Sequence, residues 1–375
     1  MRKVAFPYMG KSYIAFKNIL TAFGNEVVLP PKPTEETISY GTKYAPEFAC
    51  YPFKIVLGTF VQVLEAGANT LVSSGGVGPC RAGLYTTLQE KILKDLGYEF
   101  EMITLEPPGR HFKDLMQNIK KLVNAPLTFR DYVRIIRFAW RQLVLLDKVE
   151  QLSHKVRSLE VKKGAATRAY KECVEMIAAA EKYEDLREIE RECELLYDKI
   201  EKKDFDPIKI GIVGEIYVLL EPASNLEIEE MLGDLGVYVE RSMFLSDYTI
   251  SNAVMDLFHM AGERDVKKTA SPYFKEMCGG HGRESVGNAI LFAKMGFDGV
   301  IQLSPFTCIP EIVAKSILPK VCRDHGIGFL TISLDEQTGK EGLRTRLEAF
   351  VDLLTSKRRK AKSFTVKPQM AKEMA

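Results

Sequence analysis

Seven cysteines stand at positions 50, 80, 173, 193, 278, 308 and 322. Four of them form two matched pairs: Cys50 to Cys80 is thirty positions, and Cys278 to Cys308 is thirty again. Their surroundings repeat too. Cys80 closes "AGANTLVSSGGVGPC" and Cys308 closes "MGFDGVIQLSPFTC". Each run is followed by helical spacing, a glycine (Gly97, Gly326) and an apolar run ending Leu105-Glu106 or Leu334-Asp335. Such self-similarity marks a duplicated unit. Two halves with two thiols each make a four-cysteine donor set, which zinc and a [4Fe–4S] cluster both accept. Structural zinc normally uses close CxxC pairs, and the chain has none. Ligands scattered from position 50 to 308 favour a cluster. Glycines 75, 76, 78, 279, 280 and 282 leave room for a bulky group and free backbone N–H donors for its sulfurs. Zinc and unliganded loop thiols are the other two readings.

The elements around these residues alternate between strand and helix. Strands are predicted at 3–8, 25–30, 69–74 and 98–105, and helices at 12–23, 54–66 and 82–96. The same alternation restarts at 208, with a strand and turn over 208–219, strands at 236–242, 299–304 and 328–334 and helices at 225–235, 283–295, 310–324 and 341–355. This order specifies α/β domains with mainly parallel sheets. Cys80 and Cys308 then lie just past a strand, and Cys50 and Cys278 just before the preceding helix. All four fall at the carboxyl edge of a sheet, where open α/β sheets bind ligands. Between the repeats, residues 111–205 are helical in pattern and rich in Lys, Arg and Glu. Leu186, Ile189, Cys193, Leu196 and Ile200 form one buried stripe there. The expected organisation is an N-terminal α/β domain over 1–110, a helical subdomain over 111–205, a C-terminal α/β domain over 206–355 and a flexible basic tail over 356–375. That tail carries seven Lys/Arg and one acid in its twenty residues. Cys173, Cys193 and Cys322 share helical faces with apolar residues and read as core.

Composition narrows the classes. The chain has 375 residues, 46% hydrophobic and 27% charged, with net charge +2, which gives no ground for a nucleic-acid partner. No apolar run approaches the roughly 20 residues of a membrane span, and Lys11 and Lys17 interrupt the start where a secretory leader would stay apolar. A cytoplasmic location and reduced cysteines are expected. Two nucleotide-like strings fail. "AFPYMGKS" at 5–12 has Ala5 where a P-loop begins with glycine, and "GIVGE" at 211–215 lacks the third glycine of a dinucleotide fingerprint.

Other residues fall at the same edge. His281, Arg283 and Glu284 follow Cys278 and are the catalytic candidates: His281 to pass a proton, Arg283 to hold an anion or offset cluster charge, Glu284 as an acid. The alternative is that they fill a loop and open a solvated helix. Arg81 is either a charge partner or a first-turn residue. Glu221, Ser224 and Asn225, and Asp335 and Glu336, are strand-end groups that also serve as caps. Tyr51 and Phe53 shield a cluster or fill the core. Gly76, Gly78, Gly279 and Gly280 are the candidate cofactor-binding glycines.

"ACYPFK" at 49–54, "GGVGPCRAG" at 75–83, "EPASN" at 221–225, "CGGHGRES" at 278–285 and "SPFTCIPE" at 304–311 resemble the 2-hydroxyacyl-CoA dehydratase superfamily, and more closely its activase-related branch. The resemblance covers residues 1 to about 355. It implies two flavodoxin-like, doubly wound domains with an oxygen-sensitive iron–sulfur cluster between them. It also implies an ATP-dependent activator protein that injects low-potential electrons. In dehydratase members those electrons remove the hydroxyl of a 2-hydroxyacyl-CoA through a ketyl radical. A related branch holds a double-cubane cluster on six thiolates and reduces small molecules; only four thiols here lie in convincing loops. The expectation is a cluster protein of an anaerobe, with Cys50, Cys80, Cys278 and Cys308 as metal ligands. It would work with an activator and an acyl-CoA or other small substrate, as a monomer or a homo- or heterodimer. The rival is a non-catalytic subunit stabilised by its metal, docking a partner through the charged helices at 150–205.

Overall fold

The computed structural model describes residues 2–75, 80–106, 108–249, 263–276 and 278–373. Eight strands run β1 Lys3–Ala5, β2 Glu26–Val27, β3 Thr70–Ser74, β4 Glu101–Leu105, β5 Lys209–Gly214, β6 Tyr238–Arg241, β7 Gly299–Pro305 and β8 Gly328–Leu334. They form two parallel four-stranded sheets, ordered β2-β1-β3-β4 and β6-β5-β7-β8. Numbered within each half, both orders are 2-1-3-4, the flavodoxin order without its fifth strand. The repeat seen in the cysteine spacing is therefore a repeat of topology. The central strands are buried along their length, as β7 is at every residue, because helices cover both faces.

Around the first sheet lie α1 Tyr13–Ala22, α2 Glu35–Tyr44, α3 Tyr51–Glu65 and α4 Tyr85–Asp95. Four helices follow, α5 Pro108–Leu122, α6 Phe129–Leu159, α7 Ala165–Ala179 and α8 Asp185–Asp198. The second sheet carries α9 Ile216–Leu220, α10 Ile228–Asp234, α11 Leu245–Thr249, α12 Glu263–Ala270, α13 Gly282–Lys294, α14 Ile309–Asp324 and α15 Lys340–Glu373. The strands and helices expected from patterning are present, with ends moved by a few residues. Helix α2 is absent from the sequence reading. Its sequence EETISYGTKY has no apolar stripe, and close approach of backbones holds it instead. A Cβ at Gly41 would strike the Lys54 carbonyl, and one at Gly58 the Thr37 carbonyl, so α2 and α3 cross on two glycines. Helix α15 runs to Glu373 rather than stopping at 355. Arg358, assigned above to a solvated tail, donates to Asp298 (2.9 Å) and to the Asp206 and Pro207 carbonyls (3.0 and 3.1 Å).

Two features position the sheet edges. Helix α3 is apolar almost all round and buried from Tyr51 to Val61. Its Phe53, Ile55, Leu57 and Phe60 share one core with Ala5 and Leu71 of the first sheet and with Ile210, Ile301 and Ile332 of the second. Burying each such side chain contributes about 1.5–3 kcal/mol, so α3 is a rod held by both halves. The helical segment α6–α8 has its own core of Leu145, Val149, Ile177, Leu186, Cys193 and Tyr197. It is tied to the second half by Glu150, which pairs with the buried Arg241, and by Asp147, which accepts from the Ser246 N–H at 2.8 Å. Among the described residues no helix is long and apolar enough to cross a membrane.

Candidate functional site

Three of the four paired cysteines are helix N-caps with extended backbones. Cys50 caps α3, Cys308 caps α14, and Cys80 caps the short 3-10 turn Arg81–Leu84 that leads into α4. Pro52 and Pro310 occupy the first turns of α3 and α14, where a missing N–H costs nothing. Cys278 lies four residues before α13, whose N-cap is His281. At a helix start the first N–H groups have no partner within the helix and carry partial positive charge. Phe53, Gly83 and Ile312 give theirs to the Cys50, Cys80 and Cys308 carbonyls at 2.9, 3.3 and 2.9 Å, and the backbone N–H groups of Phe53, Ala82, Arg283 and Glu311 draw the thiols of Cys50, Cys80, Cys278 and Cys308 down against burial.

The loops bearing these thiols meet. The Phe48 carbonyl, two residues before Cys50, accepts from the Arg81 guanidinium and from Thr307 Oγ1 at 3.2 Å. One oxygen thus ties the loops of Cys50, Cys80 and Cys308. The fourth loop closes against them through glycines. A Cβ on Gly280 would meet Pro310 Cγ at 2.8 Å and Cys80 Sγ at 3.7 Å; one on Gly282 would meet the Pro310 carbonyl oxygen at 2.5 Å and Cys278 Sγ at 2.9 Å. Gly279 and Gly280 have φ of 73° and 48°, left-handed values that glycine adopts without strain. Gly76 and Gly78 lie outside the described residues.

Burial dominates the electrostatics. It pushes the Cys50 thiol up to about 11, against the Tyr85 hydroxyl and the Phe53 N–H that pull it down. Cys80, Cys278 and Cys308 are raised by the same cause. Without a cation these thiols stay protonated at neutral pH; a bound cation supplies the charge that makes them thiolates. Burial also lifts Glu215 and Glu311 to about 7. Glu215 caps α9 and adds negative potential at Cys50, Cys80 and Cys308. Glu311 accepts from Ser285 Oγ at 3.0 Å and from Gln302 Nε2 at 2.8 Å.

The catalytic candidates are placed as follows. His281 packs edge-on against Tyr248, ring centroids 5.4 Å apart. Arg283 donates from Nη2 to the Lys267 carbonyl at 3.2 Å, leaving its buried Nε without a partner among the described residues. Glu284 is buried and paired with Lys267 at 3.0 Å. Ser224 and Asn225 bond locally, to the Glu221 and Val218 carbonyls. Asp335 accepts from Thr338 Oγ1 in its own turn. Glu221 and Glu336 instead cross the seam. Glu221 accepts the Gly10 N–H at 2.6 Å, and Glu336 pairs with the buried Lys54 at 2.7 Å. The P-loop-like string is thereby explained: its glycine N–H holds a carboxylate of the other half. Sequence reasoning missed Tyr85, Lys54, Glu215 and Glu311 as members of this site. Lys54, Glu215 and Glu311 sat inside quoted strings; Tyr85 carried no signal beyond helical spacing.

Among the described residues no three His, Cys, Asp or Glu side chains converge tightly enough to hold one metal ion. Zinc needs its sulfurs about 2.3 Å from a single point. A cubane takes its ligands at separate corners; the loops of all four thiols meet here, with glycines at their contacts. The remaining cysteines do not join them. Cys173 and Cys193 lie in the helical core, and Cys322 packs with Val286 and Leu318.

Fold and site together define a protein of two matched α/β halves with a thiol cleft where their carboxyl edges face. Residues 15–354 match the family model of 2-hydroxyglutaryl-CoA dehydratase, D-component, and the chain belongs to that family. The match supports the broader superfamily expected above without singling out its activase-related branch. No curated protein matches the chain.

Proposed function

We propose that Cys50, Cys80, Cys278 and Cys308 hold an oxygen-sensitive [4Fe–4S] cluster, and that the chain is the cluster-bearing component of a dehydratase-type system. The observation that supports this best is the meeting of the four thiol-bearing loops across the two halves: the Phe48 carbonyl ties those of Cys50, Cys80 and Cys308, and Gly280 lies against Pro310 and Cys80. When bound, the cluster supplies a low-potential electron, received from an ATP-dependent activator protein and delivered to a 2-hydroxyacyl-CoA or related small molecule. The chain's own residues do the rest. The N–H groups spread thiolate charge. Tyr51 and Phe53, both buried, keep water from the Cys50 side. Arg283 offsets negative charge through its free donor, and Glu215 and Glu311 hold protons in a dry cleft. The quoted cysteine motifs favour the activase-related branch.

Iron, zinc and acid-labile sulfide per chain on anaerobically purified protein test this. About four iron and four sulfide that bleach in air support it. About eight iron replaces it with a double cubane, and zinc alone or no metal overturns it.

A further inference from the structure

Of the four thiols, Cys50 alone among the described residues bonds a side-chain hydroxyl. Tyr85, the first residue of α4, places its phenolic oxygen on Cys50 Sγ. The contact is built from both sides of the Cys50–Cys80 pair. Tyr85 follows Cys80 by five residues, so the loop carrying one thiol supplies the partner of the other. Its ring is locked edge-on against Phe53, centroids 5.0 Å apart and planes at 82°. Phe53 in turn gives its backbone N–H to the Cys50 carbonyl at 2.9 Å. One residue therefore orients the phenol and fixes the backbone that carries its acceptor.

We propose that Tyr85 is a positioning residue that donates its hydroxyl hydrogen to the Cys50 sulfur and sets the electron affinity of the group the four thiols hold. The proposal rests on the cluster reading above. A metal-bound thiolate has no proton, so the phenol must be the donor. A hydrogen bond to a ligand sulfur stabilises the electron-rich state more than the oxidised one and raises the potential. Removing it favours the oxidised state. A charge-assisted bond of this kind alters a one-electron equilibrium by about tenfold.

The test is a redox titration of anaerobically reconstituted protein, followed by electron paramagnetic resonance, after iron and sulfide have been counted. Tyr85→Phe should keep the wild-type iron content. At the wild-type midpoint its reduced-to-oxidised ratio should fall from one to about one tenth. Tyr98→Phe, which loses only a bond to Glu65, should leave the ratio unchanged. Replacing Tyr85 by 3-fluorotyrosine, a stronger donor of nearly the same shape, should move the ratio the other way. It decides the matter even where the Phe variant fails to take up iron. A wild-type protein with four iron, but equal midpoints in wild type, Tyr85→Phe and the fluorinated form, overturns the role of Tyr85 alone. A wild-type protein with no iron overturns the cluster reading and this inference with it.

Discussion

The molecule holds buried thiols in two settings. In the helical region Cys173 and Cys193, on α7 and α8, are 0% and 1% exposed and share one apolar core. At the facing sheet edges Cys50 and Cys308 are 7% exposed, hardly less buried. Burial therefore does not separate a packing thiol from a ligand. Position in the helix does. Cys173 and Cys193 lie inside helices, where every N–H is spent on the carbonyl four residues back. The neighbouring Cys173 and burial push the Cys193 thiol up, while Cys193 draws Cys173 down. Cys50, Cys80 and Cys308 stand at helix starts, where nearby backbone N–H groups draw the thiols down against burial.

The sharpest way to break this contrast is serine replacement. Cys80→Ser or Cys308→Ser should abolish iron binding, and Cys193→Ser should leave it at the wild-type level; equal loss in all three would erase the distinction. Next in size is the glycine crossing that presents Cys50. Gly41→Ala forces a Cβ into the Lys54 backbone and should cost about 3 kcal/mol or more in urea unfolding. A loss under about 1 kcal/mol would mean that α2 and α3 do not cross so closely.

The edges should also differ in pH response. Glu221 is buried at the seam and raised from 4.5 to about 7, chiefly by burial. Between those values the folded state holds a proton that the unfolded state has released. Its contribution is complete below pH 4.5 and is lost as pH rises to about 7, roughly 3 kcal/mol in all. Denaturation midpoints at pH 5 and pH 8 should therefore differ less in Glu221→Gln than in wild type; identical differences would remove Glu221 from the seam. A smaller effect is expected of Cys173→Ser, about 1–2 kcal/mol from placing a hydroxyl in an apolar core. Cys80→Ser should cost the metal-free protein less than that, since Cys80 is only partly buried.

The duplicated architecture was legible because strands, glycine turns and thiol spacing are local signals repeated at equal intervals, and the core placement of Cys173, Cys193 and Cys322 because helical spacing is local too. Helix α2 was not, since its two-glycine crossing replaces an apolar stripe with a contact between distant backbones. Tyr85 was not, since its role depends on which way a helix start faces. Glu221 and Glu336 were read correctly as edge residues, but sequence alone does not reveal that their partners, Gly10 and Lys54, come from the other half. Side chains that act across the seam leave no periodic mark.

The Phe48 carbonyl has a consequence for biosynthesis. Its two partners, Arg81 and Thr307, lie 33 and 259 residues away along the chain. At about 5–20 residues per second, a ribosome makes Cys50 and Cys80 many seconds before Cys308 exists. The first two thiols must wait until Cys308 is made. Any group held by all four is therefore delivered only after Cys308 has been made, and a product that stops short of it carries half a site.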